Sequence, residues 1–483
     1  MSNKGVTPQS EDFSQWYLDV IREAELADYA PVKGSMVIRP YGYAVWENIQ
    51  AALDERFKAT GHKNAYFPLF IPYSFIQKES EHVEGFAPEL ALVTIGGGEE
   101  LEEPYVVRPT SETIINAMFA KWIQSYRDLP LLINQWCNVV RWEKRTKPFL
   151  RTLEFLWQEG HTAHATPQEA EEEAIRMLGV YQDFAENVAA VPVVPGRKSD
   201  SEKFAGAICS YTIEAMMRDM RALQSGTSHN LGDNFAHAFE TQYLDENNEL
   251  QYVHQTSWGL STRFVGAIIM VHGDDQGLRL PPRVAPIQVV FVPIWRTDEE
   301  RAIVIPAAER VAQSLPADVR VEIDRREGLR PGFKFNDWEM RGVPVRIDVG
   351  PRDVENDQVV IARRDVSGRE GKSIVPMAEA PARIPDLLEE IQASLFDQAK
   401  AFLRDNSFYP ETLDAFRQIV PEAGGYGFAH AWWCGSGTCE DRAKAELGGT
   451  TIRCIPFEQP DGTGKCLFCG EEAEEQAVFA KAY

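Results

Sequence analysis

The stretch Val139-Val140-Arg141-Trp142-Glu143, followed shortly by Arg151-Thr152-Leu153-Glu154-Phe155, decides how this chain is read. On an extended strand, residues two apart project from one face, so Arg141 and Glu143 share a side. A short polar loop, 144–147, leads to a second strand. Antiparallel pairing then presents Arg141, Glu143, Arg151 and Phe155 near one another. Guanidinium groups suit phosphate oxygens bidentately. A carboxylate accepts from an amino group such as that of adenine, and an aromatic ring stacks on a base. On these residues alone, a surface hairpin with a cross-strand ion pair reads equally well.

Around this hairpin the first region, to about residue 282, mixes long strands with long helices. Phe13, Trp16, Tyr17, Val20 and Ile21 have helical spacing. Thr166-Pro167-Gln168-Glu169 is an N-cap, a first-turn proline and a capping-box glutamate. Residues 66–71, 135–142 and 155–161 read as strands, and residues 213–223 as a helix. The absence of regular strand–helix alternation predicts an α+β domain on an antiparallel sheet. Ser257-Trp258-Gly259-Leu260-Ser261-Thr262-Arg263 reads as a strand end entering a helix, with Arg263 in its first turn, a place suited to phosphate. Arg108-Pro109-Thr110-Ser111-Glu112 sets a hydroxyl two residues from a carboxylate, and Gln224-Ser225-Gly226-Thr227-Ser228-His229 gathers small polar groups. An ordinary helix start and a polar loop are the plain readings of these two.

The prolines at 281, 282 and 286 mark a linker. Beyond it, residues 286–381 alternate strand and helix, as a small α/β domain does. A long helix from about 382 opens the third region, 382–483. There Cys434-x4-Cys439 and Cys466-x2-Cys469 are paired thiols with zinc-ligand spacing, and Cys454 falls outside them. Five of the seven cysteines follow residue 430. With no signal-peptide pattern at the polar N-terminus and no apolar run of about 18 residues, the chain is expected in the cytoplasm, where thiols stay reduced. The net charge of −24 argues against general nucleic-acid binding. Charge is local, however: residues 325–372 carry eleven Lys and Arg against nine Asp and Glu.

Taken together, these segments resemble class II aminoacyl-tRNA synthetases. Arg141 to Glu143, the loop, and Arg151 to Phe155 resemble motif 2; Gly259 to Arg263 resembles motif 3; Lys33-Gly34-Ser35-Met36-Val37-Ile38-Arg39-Pro40-Tyr41-Gly42 through Phe67-Pro68 resembles motif 1, the dimer-forming element. Arg108 to Glu112, residues 149–161, Gln224 to His229 and His272-Gly273-Asp274-Asp275 narrow the resemblance to prolyl-tRNA synthetases of the archaeal and eukaryote-like type, over nearly the whole chain. That resemblance implies an antiparallel-sheet catalytic domain (1–282), an α/β anticodon-binding domain (286–381) and a small α+β zinc-binding C-terminal domain (382–483). It implies that Thr110, Glu112, Arg141 and His229 bind proline. Arg141, Glu143, Arg151, Thr152, Phe155, Gln224, Thr227, Ser261 and Arg263 bind ATP, with Arg141 and Arg263 as the catalytic pair and Mg2+ neutralising phosphates. Glu339, Arg346 and Arg352 read the anticodon of tRNA(Pro), from the stretch Phe333-Lys334-Phe335-Asn336-Asp337-Trp338-Glu339-Met340-Arg341-Gly342 onward. Cys434, Cys439, Cys466 and Cys469 hold a structural Zn2+, and the chain forms a homodimer. The family ends in a tyrosine whose carboxylate turns toward the active site; here Tyr483 follows Ala480-Lys481-Ala482 instead of Gly-Arg-Ser. About 120 residues separate Arg141 from Arg263, all assignable to the core, so no editing domain is expected between motifs 2 and 3. A silent relative acting only as a tRNA-binding module is expected to lose motif arginines, yet Arg141, Arg151 and Arg263 are all present.

Overall fold

The computed structural model describes residues 5–82, 90–421 and 424–483; the first four residues of the polar N-terminus lie outside these. The expected first helix is Phe13–Glu23, capped by Asp12 and burying Trp16, Tyr17, Val20 and Ile21. The capping box at Thr166 and Glu169 opens the helix Pro167–Asp183. Among the described residues no helix is long and apolar enough to cross a membrane.

The central structure is an eleven-stranded sheet. Its catalytic part pairs Val193–Arg197, Cys209–Met216, Ala222–Gly232, His254–Ser261, Glu154–His164 and Leu131–Val140 in that order, all antiparallel. Two readings of the sequence are corrected here. Residues 213–223 are not a helix but the end of one strand, a turn with Met220 at φ 61°, and the start of the next. That strand is buried on both faces, which erases the alternation that marks a half-buried strand. Of the 66–71 segment only Phe70 and Ile71 are strand, the start of Phe70–Pro72. Pro68 has no N–H to offer, and Phe67 bonds to side chains: its N–H donates to Gln135 Oε1 at 2.9 Å, and its carbonyl accepts from Arg108 Nη1 at 2.7 Å.

The sheet's period of two divides its faces. On one side Gln158, Ser228 and Trp258 pack under helices: Tyr181 OH donates to Gln158 Oε1 at 2.8 Å, and Ser228 Oγ to the Ala174 carbonyl at 2.7 Å. Trp258, 1% exposed, fills this layer beside Phe57 and Tyr181. It fits because Gly160 lies beneath it; a Cβ there would sit 2.0 Å from the indole. Truncating such a tryptophan costs about 3–5 kcal/mol. The odd residues of 155–161 and 257–261 face a cavity.

Residues 289–376 form a separate five-stranded sheet, parallel among Val321–Ile323, Val289–Pro293 and Val345–Val349. The expected alternation ends there, because Gln358–Arg363 and Lys372–Pro376 add as antiparallel strands. The long helix is Ala380–Asp405, so the expected boundary at 381/382 falls in its first turn. The third region does not stand apart: Ile455 and Pro456 pair with Arg197 and Gly196, extending the catalytic sheet into strands Thr451–Pro456, Glu475–Ala480 and Phe428–Trp433.

Candidate active site

Cross-strand register builds the floor of the cavity row by row. His161 pairs with Ser257, Ser257 with His229, and His229 with Ser210. One step along, Gln135 pairs with Glu159, Glu159 with Gly259, and Gly259 with Thr227. A further step sets Trp157 opposite Ser261. All but Gln135 line one cavity of about 270 Å³, together with Thr110, Glu112, Arg141, Phe155, Gln224 and Arg263. The rows give it a direction. One end holds His161 and His229, the middle row Glu159, and the other end, two rows from the first, Ser261 and Arg263.

Each charged group is held by a specific device. Glu112 begins the helix Glu112–Trp122, and Thr110 Oγ1 donates to its carboxylate. Glu159 stitches this loop to the sheet. It accepts from Ser111 Oγ, from Gln135 Nε2 at 2.8 Å and from the Cys137 thiol at 3.3 Å. Its other oxygen lies 3.0 Å from His161 Nε2. Burial opposes the charge on both, but the mutual hydrogen bond and attraction win, holding Glu159 below and His161 above their ordinary pKa values. His229 shares a 2.8 Å hydrogen bond with Ser210 Oγ and stacks on Phe204. Burial, then the nearby charges of Lys198 and His161, push its pKa down to about 3, so it is neutral at physiological pH.

Arg141 donates Nε to the Pro109 carbonyl at 3.0 Å and lies 5.4 and 5.3 Å from the Phe155 and Trp157 rings. Solvent reaches it through the open cavity, yet protein surrounds it closely. That surrounding lowers its pKa, and Glu112, Glu159 and Glu143 offset part of the loss. Arg263 starts the helix Arg263–His272 and donates Nε to the Leu150 carbonyl at 3.1 Å. Burial first, then Arg141 and Arg151, bring its pKa down to about 10.

The strand ends at Val140, so Arg141 and Glu143 lie just past it, in the turn. Nine of the expected proline and ATP residues reach the cavity: Thr110, Glu112, Arg141, Phe155, Gln224, Thr227, His229, Ser261 and Arg263. Glu143, Arg151 and Thr152 do not line it. Glu143 and Arg151 form a 3.9 Å ion pair outside, and Thr152 Oγ1 donates to the Glu154 carbonyl at 2.7 Å. Trp157, Glu159, His161, Lys198 and Ser257 line the cavity without having been foreseen. The first three continue the odd-numbered alternation from Phe155, and that periodicity was the available signal.

In the second region a smaller cavity is lined by Glu339 and Arg346, among others; Arg352 is exposed and outside it. Arg346 Nη1 lies 3.1 Å from Glu339 Oε1, and its Nε 2.9 Å from Asp348 Oδ1. In the third region the sulfurs of Cys434, Cys439, Cys466 and Cys469 lie within 4.8 Å of one another, with two contacts of 3.6 Å. Four sulfurs about 2.3 Å from a tetrahedral zinc stand about 3.8 Å apart, so the donor set fits that ion. The C-terminus docks on the catalytic region: Tyr483 N–H donates to the Ala222 carbonyl at 3.1 Å, and its hydroxyl to Asp219 Oδ2 at 2.6 Å. Its ring lies under Lys147, at the base of the 144–147 loop.

Three family profiles match the chain: tRNA synthetase class II core domain (G, H, P, S and T) over 93–272, anticodon binding domain over 288–387, and prolyl-tRNA synthetase, C-terminal, over 413–483. The chain is 59% identical to the chloroplastic/mitochondrial proline–tRNA ligase of Arabidopsis thaliana, covering all of this chain and 89% of that one. It is 56% identical to the proline–tRNA ligase of Roseiflexus sp. (strain RS-1), over the full length of both, and 56% identical to that of Clostridium novyi (strain NT), over 99% of this chain and 98% of that one. With relatives this similar end to end, the chain belongs to the prolyl-tRNA synthetase family.

Proposed function

We propose that this chain attaches L-proline to tRNA(Pro) at the expense of ATP. A proline carboxylate oxygen attacks the α-phosphorus of ATP and pyrophosphate leaves. A terminal ribose hydroxyl of the tRNA then attacks the prolyl carbonyl, and AMP leaves. The observation that carries this reading is the polarity of the large cavity. The carboxylates of Glu112 and Glu159 suit the imino group of proline toward one end, and Arg263 suits the phosphates at the other. Arg141 reaches toward both, next to the position where charge builds up in transfer. Catalysis is then positioning and electrostatic stabilisation, with no protein nucleophile. Phe155 offers a stacking face for adenine, with Glu143, Arg151 and Thr152 at the rim. ATP enters as its magnesium complex.

The three units 1–282, 286–381 and 382–483 divide the work. In the second, Glu339, Arg346 and Arg352 contact the guanines of the proline anticodon. In the third, Zn2+ on Cys434, Cys439, Cys466 and Cys469 braces the fold, consistent with thiols kept reduced in the cytoplasm. Metal analysis finding no zinc in protein purified without chelators would remove that role. A homodimer through the motif 1 segment accounts for Tyr29, Val32, Val37, Tyr66 and Phe70, which are 46–72% exposed.

ATP–pyrophosphate exchange across the twenty amino acids tests the whole reading. Proline is expected to support the fastest exchange. Alanine should support measurable exchange, because each missing methylene is worth only about 1–3 kcal/mol. Best exchange with another amino acid, or none with proline, refutes the assignment.

A further inference from the structure

The smaller cavity is walled partly by the catalytic region. Gln276 lines it beside Trp338, Glu339, Arg346 and Arg364. Gln276 belongs to a turn, 274–277, that follows directly on the Arg263–His272 helix. The turn is firmly held. Asp274 and Gly277 exchange two backbone hydrogen bonds of 3.0 Å, and Trp16 Nε1 donates to the Asp274 carbonyl at 3.0 Å.

This turn meets the end of the helix Pro331–Met340 at backbone contact. Gly277 has φ +122°, and a Cβ there would lie 2.6 Å from Met340 Cα. Leu278 N–H donates to the Met340 carbonyl at 3.0 Å, and Leu280 N–H to the Gly342 carbonyl at 3.1 Å. Across the joint the Asp274 carboxylate accepts from both terminal nitrogens of Arg364, at 2.6 and 2.8 Å. The remaining nitrogen, Nε, donates to the Glu339 carbonyl at 3.0 Å. Arg364 is 9% exposed, so this guanidinium is a stiff, directional clamp. Its three nitrogens tie the end of the motif 3 helix to the backbone of Glu339. The Glu339 side chain meanwhile holds Arg346 at 3.1 Å.

The Arg263–His272 helix is ten residues long, with Arg263 in the large cavity at one end and the turn just past the other. A guanine that bonds to the carboxylate of Glu339 or the guanidinium of Arg346 competes with their mutual ion pair, and where it wins that pair opens. The end of the Pro331–Met340 helix is thereby freed to settle differently against the turn. A packed helix transmits such a shift along its axis as a rigid element.

We propose that the Asp274–Arg364 clamp is a positioning device that couples anticodon engagement to the setting of Arg263, making transfer fast only on a tRNA bound through Glu339 and Arg346. This rests on the reading of those two residues as anticodon contacts. Coupling requires that the two states differ in free energy at both sites, and such couplings typically change a rate or affinity about 5- to 150-fold.

The test uses the full-length protein with Asp274→Asn, Arg364→Lys and the double variant. Each is assayed for tRNA-free ATP–pyrophosphate exchange. Each is also assayed for aminoacylation of a tRNA(Pro) transcript and of a transcript with one anticodon guanine replaced. In the unaltered enzyme the replacement should lower kcat at least about fivefold as well as raise KM. In both single variants exchange should stay within about threefold, the KM difference should persist, and the kcat difference should largely vanish. The double variant should behave like either single one, because the two residues act as a unit. Arg364→Lys keeps the charge while losing the fork, so it reports on the clamp even if Asp274→Asn folds poorly. A kcat difference that survives in the variants overturns the proposal while leaving the anticodon reading intact. An unaltered enzyme indifferent to the replaced guanine overturns both.

Discussion

The two cavities use arginine in opposite ways. In the large one, Arg141 and Arg263 each spend Nε on a backbone carbonyl, of Pro109 and of Leu150. Among the described residues neither forms an ion pair with a carboxylate. Their terminal nitrogens are thus oriented before any substrate arrives. In the small one, Arg346 bonds Asp348 through Nε and Nη2 and Glu339 through Nη1, and lies 4.0 Å over the Phe335 ring. Three of its five N–H donors are already taken by its own protein, so anything that binds there competes with existing bonds. The difference matches what each cavity receives. A reacting phosphate gains most from donors that need no reorganisation as charge develops. A macromolecular partner brings many contacts and can replace an existing pair, which favours discrimination over raw affinity.

The largest effect should come from the preoriented arginines. Arg141→Ala or Arg263→Ala should lower kcat/KM for proline-dependent pyrophosphate exchange about 10²- to 10³-fold, roughly 3–4 kcal/mol each. Arg141→Lys should recover little of it, since an ammonium lacks the fork. A loss under about tenfold, measured at saturating magnesium, would mean these groups are not preorganised donors, and the comparison fails. Next in size, Arg346→Ala or Glu339→Ala should lower aminoacylation efficiency about 10- to 100-fold, at about 1–3 kcal/mol per base contact, while leaving tRNA-free exchange unchanged. Exchange falling in parallel with aminoacylation would erase the distinction between the cavities.

The smallest effect sharpens the description of the proline end. His229 has its pKa pushed from 6.5 down to about 3, by burial and then by Lys198 and His161. Its folded state therefore favours the neutral ring. As pH falls below 6.5 the unfolded chain binds a proton there that the folded chain does not, so stability is lost down to about pH 3. The slope is about 1.4 kcal/mol per pH unit for one such group. His229→Asn should accordingly unfold with a weaker dependence on pH between 6 and 4, read as the change in thermal midpoint. An unchanged dependence would mean that the ring is solvated rather than buried in the cavity wall.

Much of the chemistry was legible from local signals. Thr110, Glu112, Arg141, Gln224, Thr227, His229, Ser261 and Arg263 were all read from short motifs, and all of them line the cavity. The cysteine spacing likewise pointed to four sulfurs that the fold brings within 4.8 Å. Where the reading failed, the local signal was ambiguous. The strand end in 213–216 is covered on both faces, with even Glu214 buried against Lys198, so no alternation of apolar and polar residues survives there. Arg151 and Thr152 lie close in sequence to Phe155 but do not line the cavity; the chain reverses at the Lys147–Arg151 bridge just before them. Glu159 and His161 belong to no short motif; the partners of Glu159, Ser111 and Gln135, are 48 and 24 residues away in the chain.

Those partners are distant in the chain, and this separates the two sources of information. Capping residues, linker prolines, paired cysteines and motif arginines act within a few residues of themselves, so the sequence alone identified the catalytic, anticodon-binding and cysteine-bearing regions. Strand register was decided only by the tertiary structure. It set His161, Ser257, His229 and Ser210 in one row, placed Ser111 and Gln135 on Glu159, and ran the C-terminal strands into the catalytic sheet at Arg197. Register depends on which buried faces and hydrogen-bonding edges are complementary across the whole sheet, a condition that no single segment carries.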